Sequence, residues 1–164
     1  MSQHRVWAYG DHVNTDVIFP GKYTYTLKGP EEIASKALED LDPAFTREAR
    51  PGDVIVAGRN WGCGSSREQA VTALTGRGIT AVIAASFNGL YFRNCINQGL
   101  HPIVCPALVE QVRTGDGIEM DAEAGIIRAA GRVFSIPPLP PSVRAILDAG
   151  GLVPMLQVRF GGGR

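Results

Sequence analysis

Asp53-Val-Ile-Val-Ala-Gly-Arg-Asn-Trp-Gly-Cys-Gly-Ser-Ser-Arg-Glu-Gln-Ala-Val-Thr-Ala-Leu-Thr-Gly76 reads as three pieces in a fixed order. Residues 53–57 are a short apolar run with strand character, 58–68 are rich in glycine, and 67–77 have helix-forming composition with glycine at the end. Strand, glycine loop and helix in that order aim unpaired backbone N–H groups and the positive end of the helix dipole at the loop mouth. Such an arrangement favours an anion, carboxylate or phosphate. Arg67 adds a planar fork of donors that can grip a carboxylate in two places, and Ser65 and Ser66 add hydroxyls that donate and accept. Serine at its ordinary pKa is a poor base, so Ser65 would need its alkoxide stabilised by the glycine amides, the helix end and Arg67. A plainer reading competes, in which Ser65 or Ser66 caps the helix and the glycines only turn the chain. That reading leaves Arg67 beside both hydroxyls unexplained.

Outward from this unit, further strand-like runs fall at 5–9, 80–84, 102–104, 118–120, 125–128 and 133–136, and helices at 30–40, 89–98, 108–113 and 141–148. The fold class is therefore α/β, a mixed sheet with flanking helices. Strand and helix alternate from 53 to 104 as in a parallel sheet, whereas the later strands are short, turn-linked and antiparallel in character. Residues 1–164 read as one domain. The Pro137-Pro138-Leu139-Pro140-Pro141 tract is a stiff connector, after about 137, to a C-terminal helical extension.

The chain has 164 residues, 45% of them hydrophobic and 20% charged, which suits one domain with a real core. Sixteen basic and 16 acidic side chains cancel, and no basic face is evident, so nucleic acid is not an expected partner. No apolar run approaches the ~20 residues that cross a bilayer, and Met1–Arg5 lacks a signal-peptide core, which leads to an expectation of a cytoplasmic protein with no membrane association. Cys63, Cys95 and Cys105 match no zinc or iron–sulfur spacing, so no metal is expected on this chain. Cys63, beside a helix start, is the one thiol whose pKa that position could depress. A cysteine enzyme would also want a histidine base, and His4, His12 and His101 are all distant from it in sequence.

Three other segments are unusually polar. In 10–20, Asp11, Asn14 and Asp16 either close Asx-turns with their own backbone or place Asn14, Thr15 and Asp16 beside the serine loop, where Asp16 could pair with Arg67. Residues 21–29, between glycines and without periodicity that demands burial, read as a mobile surface loop of the kind that chooses substrates. In 86–99, aromatics at helical spacing belong to the core, while Arg93, Asn94 and Asn97 are more polar than a core helix needs and are candidates for lining a site or touching a partner.

Gly-Asp-x-x-Asn-Thr-Asp-x-Ile at 10–18, Gly-Cys-Gly-Ser-Ser-Arg-Glu at 62–68 and Ser-Phe-x-x-x-Tyr-Phe-Arg-Asn-x-Ile-Asn-x-Gly-Leu at 86–100 together resemble the small subunit of the isopropylmalate isomerase and homoaconitase group within the aconitase superfamily. Three separate motifs in order are far more specific than the serine loop alone. The resemblance implies an aconitase-like swivelling β/β/α domain that docks over a large subunit carrying a [4Fe–4S] cluster, with no cofactor on this chain. It implies a hydro-lyase, active only as the pair, that isomerises a small hydroxy-di- or tricarboxylate by dehydration and rehydration. Ser65 then takes the role of the base that removes the proton next to a carboxylate. Ser66, Arg67 and Gly64 bind substrate carboxylate, and the partner's iron activates the leaving hydroxyl as a Lewis acid. Asn14, Thr15, Asp16, Arg93 and Asn94 support the site.

In this family the 22–29 loop reads the variable arm of the substrate, with arginine suiting an extra carboxylate and apolar residues an isopropyl group. Here it offers Tyr23, Thr24, Tyr25 and Thr26 and no arginine. An unpaired carboxylate desolvated against them would be costly, while tyrosine rings and threonine methyls can pack on a branched aliphatic arm. The expectation is 2- and 3-isopropylmalate in leucine biosynthesis. Lys28 and the polar threonines keep homoaconitate (lysine biosynthesis) or another branched malate open, and a non-catalytic anion-binding module is the alternative of a different class.

Overall fold

Val54–Ala57 buries all four of its residues, and Ala81–Ala84 does the same. Strands with no exposed face belong at the centre of a parallel sheet covered on both sides. In the computed structural model, which describes residues 2–161, these are β2 and β3 of a mixed seven-stranded sheet. Its other strands are β1 (Ser2–Ala8), β4 (His101–Val104), β5 (Gly117–Asp121), β6 (Ile126–Ala129) and β7 (Arg132–Ser135), in the order β4-β3-β2-β1-β5-β6-β7. β1 to β4 run parallel, with Val54 opposite Val6 and Ala81 opposite Val54. β5, β6 and β7 form an antiparallel meander on β1. The expected split between a parallel middle and an antiparallel end is what the sheet shows.

Alternate residues feed two cores. Ile55, Ala57, Val82 and Ala84 pack with α2 (Pro30–Ala34), α3 (Pro43–Glu48), α4 (Gln69–Gly76) and α5 (Gly89–Asn97) through Ile33, Phe45, Leu74 and Tyr91. Val54, Val56, Ala81 and Ile83 pack with Leu108 of α6 (Pro106–Val109) and with Ile118, Ile127 and Phe134 of the meander, which curls over that face. Each valine, leucine, isoleucine or phenylalanine among them contributes roughly 1.5–3 kcal/mol on burial, and each alanine less, so both faces are strongly specified.

Several boundaries differ from the sequence expectation. β1 begins at Ser2 rather than at 5, because its first half pairs with β5 and only its second half with β2. The helix read at 30–40 stops at Ala34: Leu38 takes a positive φ and donates its amide to Ile18, leaving the helical path. α6 starts two residues before the expected 108, with Pro106 in the first turn, where a missing N–H costs nothing. Two short helices were hidden by their length, α1 (Thr15–Ile18), capped by Asn14, and α3, capped by Asp42 with Pro43 next. After the proline connector come α7 (Pro141–Asp148) and α8 (Leu152–Gly161); α8 escapes a pattern search because Pro154 interrupts it, though only in its first turn.

Candidate active site

The three motif segments leave the sheet at the carboxyl ends of β1, β2 and β3, where ligands sit in parallel sheets. They are zipped to one another by backbone bonds. Gly62 donates to the carbonyl of Val13 (2.8 Å) and Thr15 to that of Cys63 (2.9 Å), while Trp61 donates to Ser86 (3.1 Å) and Asn88 to Trp61 (2.9 Å). The serine loop is therefore clamped between the other two. Gly62 has φ +78°, and a Cβ there would overlap the Tyr91 ring, so only glycine lets the loop lie against α5. Gly64 also has positive φ, +90°.

The loop's tip is exposed at Gly64, Ser65 and Ser66. Thr15 Oγ1 donates to the Ser65 carbonyl at 2.7 Å, which fixes the backbone; among the described residues the Ser65 hydroxyl itself has no hydrogen-bond partner. Ser66 Oγ accepts from Asn94 Nδ2 at 3.3 Å. Helix α4 begins at Gln69, not at the expected 67, and its cap residue is Glu68 with no side-chain cap bond. Neither serine caps the helix, so the capping part of the plainer reading fails, while the positive φ of Gly62 and Gly64 agrees with its turn part.

Arg67 is the most constrained member, with 18% of its side chain exposed. Its guanidinium forms an ion pair with Asp16, and Nη1 donates to Thr24 Oγ1 at 2.7 Å. Gln69 Nε2 donates to the Thr24 carbonyl at 3.0 Å. Thus Asp16, Thr24 and Arg67 come together, although they are far apart in sequence. The 21–29 segment is less free of the body than the sequence suggested. It opens with a 3₁₀ turn at Gly21–Tyr23, Tyr23 and Leu27 pack on the core, and the Tyr23 hydroxyl donates to Glu39 at 2.9 Å, holding that carboxyl below its usual range. Tyr25 is 88% exposed and Thr26 is exposed.

The Asx-turn reading of 11–16 holds only for Asn14, which accepts from Val17 N as the cap of α1. Asp11 instead accepts from the Arg59 amide and guanidinium, and that backbone donor above all keeps its carboxyl low. Arg93 is exposed and, among the described residues, unbonded. Cys95 and Cys105 are buried in different cores and Cys63 is half-buried in the loop. Burial pushes the Cys95 thiol up. Among the described residues no three Cys, His, Asp or Glu side chains gather as metal ligands. Sequence reasoning missed Gln69 and Asn88. Asn88 accepts from the Leu90 and Tyr91 amides and so aims α5, and an Asn-Gly pair after a strand was its signal.

The aconitase C-terminal domain profile matches residues 13–108, which hold the second and third motif segments and the first from Val13 onward. The chain belongs to the aconitase C-terminal domain family. Its relatives there include the 3-isopropylmalate dehydratase small subunit of Heliobacterium modesticaldum, 42% identical over 98% of this chain and 97% of that one. They also include the isopropylmalate/citramalate isomerase small subunit of Methanocaldococcus jannaschii (45%, over 95% and 94%) and the homoaconitase small subunit of Thermus thermophilus (41%, over 91% of each). A crystal structure of 3-isopropylmalate dehydratase from Methanocaldococcus jannaschii superposes with a TM-score of 0.89 at 42% identity, covering 96% of this chain and 93% of that one. The aconitase-type domain thus presents its serine loop on open surface. Cavities of about 640 Å³ over β5–β7 and about 420 Å³ beside α7 lie elsewhere, lined by neither Ser65 nor Ser66. No helix among the described residues is long and apolar enough to cross a membrane.

Proposed function

We infer that this chain is the small subunit of a 3-isopropylmalate dehydratase, a two-subunit cytoplasmic hydro-lyase that interconverts 2- and 3-isopropylmalate in leucine biosynthesis. The observation that carries the reading is exposed Ser65, whose hydroxyl has no hydrogen-bond partner among the described residues, two residues from an arginine already fixed by Asp16 and Thr24. Removing a proton from carbon next to a carboxylate drives negative charge onto that carboxylate. Arg67 and the loop amides stand where they can stabilise it, and Ser65 takes the proton in one direction and returns it in the other.

A serine alkoxide in bulk water would be protonated at once, so an open Ser65 cannot work uncovered. Relatives described as small subunits imply a larger partner; that partner is the cover we assign, and a cluster held there would supply the Lewis acid for the leaving hydroxyl. The variable arm meets the 21–29 loop, where Tyr25 and Thr26 offer ring and methyl surface and no arginine is present to pair a further carboxylate.

Turnover of 2-isopropylmalate tests this directly, followed by the ultraviolet absorbance of the conjugated alkene formed on dehydration. Mixing the chain with its anaerobically prepared large subunit is expected to give turnover, and the chain alone none. Activity of the chain alone would overturn the divided site.

A further inference from the structure

We propose that Gln69 is a specificity-determining positioning residue, which with Arg67 grips Thr24 from two sides and makes the arm-reading loop and the carboxylate clamp one unit. The inference rests on the reading above for what the loop and clamp bind, but the latch itself is geometric. Gln69 opens α4, two residues after Arg67, and is half-buried. Its Nε2 donates to the Thr24 carbonyl at 3.0 Å; a carbonyl can be met only by the amide nitrogen, so the side chain has one useful orientation. From the other side Arg67 Nη1 donates to Thr24 Oγ1 at 2.7 Å.

The loop has little slack around this point. Thr24 N donates to Gly21 O (3.1 Å), and Leu27 N to Tyr23 O (3.1 Å). A Cβ at Gly21 would lie 3.2 Å from Asp16 Oδ1 and 3.4 Å from Arg67 Nη2, so the loop start is seated directly on the ion pair. Tyr23 is held at its far side by Glu39. Thr24 is therefore spent on anchoring, and Tyr25 and Thr26, both exposed, are left to meet the substrate arm. Because Thr24 is their immediate neighbour, its two anchors set where they stand relative to Arg67. Gln69 touches no substrate; it acts by fixing that distance.

The test uses the two-subunit enzyme carrying Gln69→Met, which keeps length and loses the donor, with 2-isopropylmalate and a methyl-armed malate as competing substrates. Discrimination between them is expected to fall about fivefold or more, carried by a higher KM for the isopropyl substrate with kcat within about twofold, as for one lost positioning hydrogen bond. Thr24→Ser, which keeps both acceptors, is expected to retain wild-type discrimination. In the isolated chain, amide hydrogen exchange of residues 24–27 is expected to quicken in Gln69→Met while β2 and α4 keep their protection. An unchanged ratio with unchanged exchange overturns the latch, as does a parallel fall in kcat for both substrates at constant ratio. If the wild-type pair turns over neither substrate, the functional reading fails, and the exchange measurement alone then decides whether the latch exists.

Discussion

Arg67 and Asp16 form an ion pair that joins the loop after β2 to the first turn after β1. Asp16 is more than half exposed and Arg67 largely buried, so the carboxylate orients the guanidinium from the solvent side while Thr24 receives Nη1 from the other. Lysine has one compact ammonium and cannot span both partners and a substrate carboxylate. Arg67→Lys is expected to lower kcat/KM of the reconstituted enzyme by roughly 10²-fold, chiefly through KM, in steady-state assays. Retention of wild-type KM would mean that the arginine binds no substrate.

Ser65 separates chemistry from stability more cleanly than any other position. Its side chain is exposed and makes no hydrogen bond among the described residues, so Ser65→Ala is expected to leave the melting temperature of the isolated chain unchanged, within about 0.5 kcal/mol. Loss of a positioned base is expected to lower kcat by about 10²–10⁴-fold. A stable variant with full activity would remove the base from the mechanism.

Asp53, just before β2, is a buried carboxylate among whose partners a pH-dependent share of the fold's stability is expected to lie. Burial alone would raise its pKa. One oxygen, however, accepts from Arg5 Nη2 (2.7 Å) and Nε (3.2 Å), Trp7 Nε1 (2.9 Å) and the Arg50 amide (2.9 Å), and these donors outweigh burial and hold the carboxyl below its usual range. A depressed folded-state pKa means stability fully present above the unfolded value, near 4, and lost as pH falls through the folded one. Asp53→Asn is expected to cost about 2–3 kcal/mol at neutral pH and to flatten the loss of stability below pH ~4, read by urea unfolding across pH. An equally steep acid limb in the variant would place the sensitivity elsewhere.

Gly62 shows what a backbone constraint looks like when its cause is a distant side chain. Gly62→Ala forces both a positive φ and overlap with Tyr91, which donates its hydroxyl to the Ala70 carbonyl at 3.1 Å and is fully enclosed. The expected loss is about 2 kcal/mol or more in chemical denaturation. A variant as stable as the parent would show that the loop can move off α5.

The parallel half of the sheet was legible because residues 54–57 and 81–84 are apolar without alternation, which only a strand covered on both faces tolerates. The serine loop was legible as well, since strand, glycines and helix lie within one local stretch. Helices of four to six residues, such as those begun by Asn14 and Asp42, offer no period to detect and announce themselves only through a cap. The contacts of Thr24 with Arg67 and Gln69 cross more than forty residues, and no local pattern carries them. A periodicity-free 21–29 segment looked detached for the same reason: what holds it is tertiary.

That geometry also decides where substrate choice is to be tested. An arginine in the 22–29 loop suits an extra carboxylate, and Thr24→Arg is one way to place it there. In the fold Thr24 Oγ1 accepts from Arg67, so an arginine there would set two guanidinium groups side by side and dismantle the clamp it was meant to assist. Tyr25 is the better position, 88% exposed and free of such partners among the described residues, with its backbone anchored by its neighbour. Tyr25→Arg keeps the clamp intact and offers a bidentate donor to a carboxylate on the arm, while removing ring surface from an isopropyl group. In the reconstituted enzyme it is expected to raise kcat/KM for a homoaconitate-type tricarboxylate relative to 2-isopropylmalate by about tenfold or more, worth ~1.4 kcal/mol. A ratio unmoved by Tyr25→Arg but shifted by Thr24→Arg would reverse the assignment of which residue meets the arm.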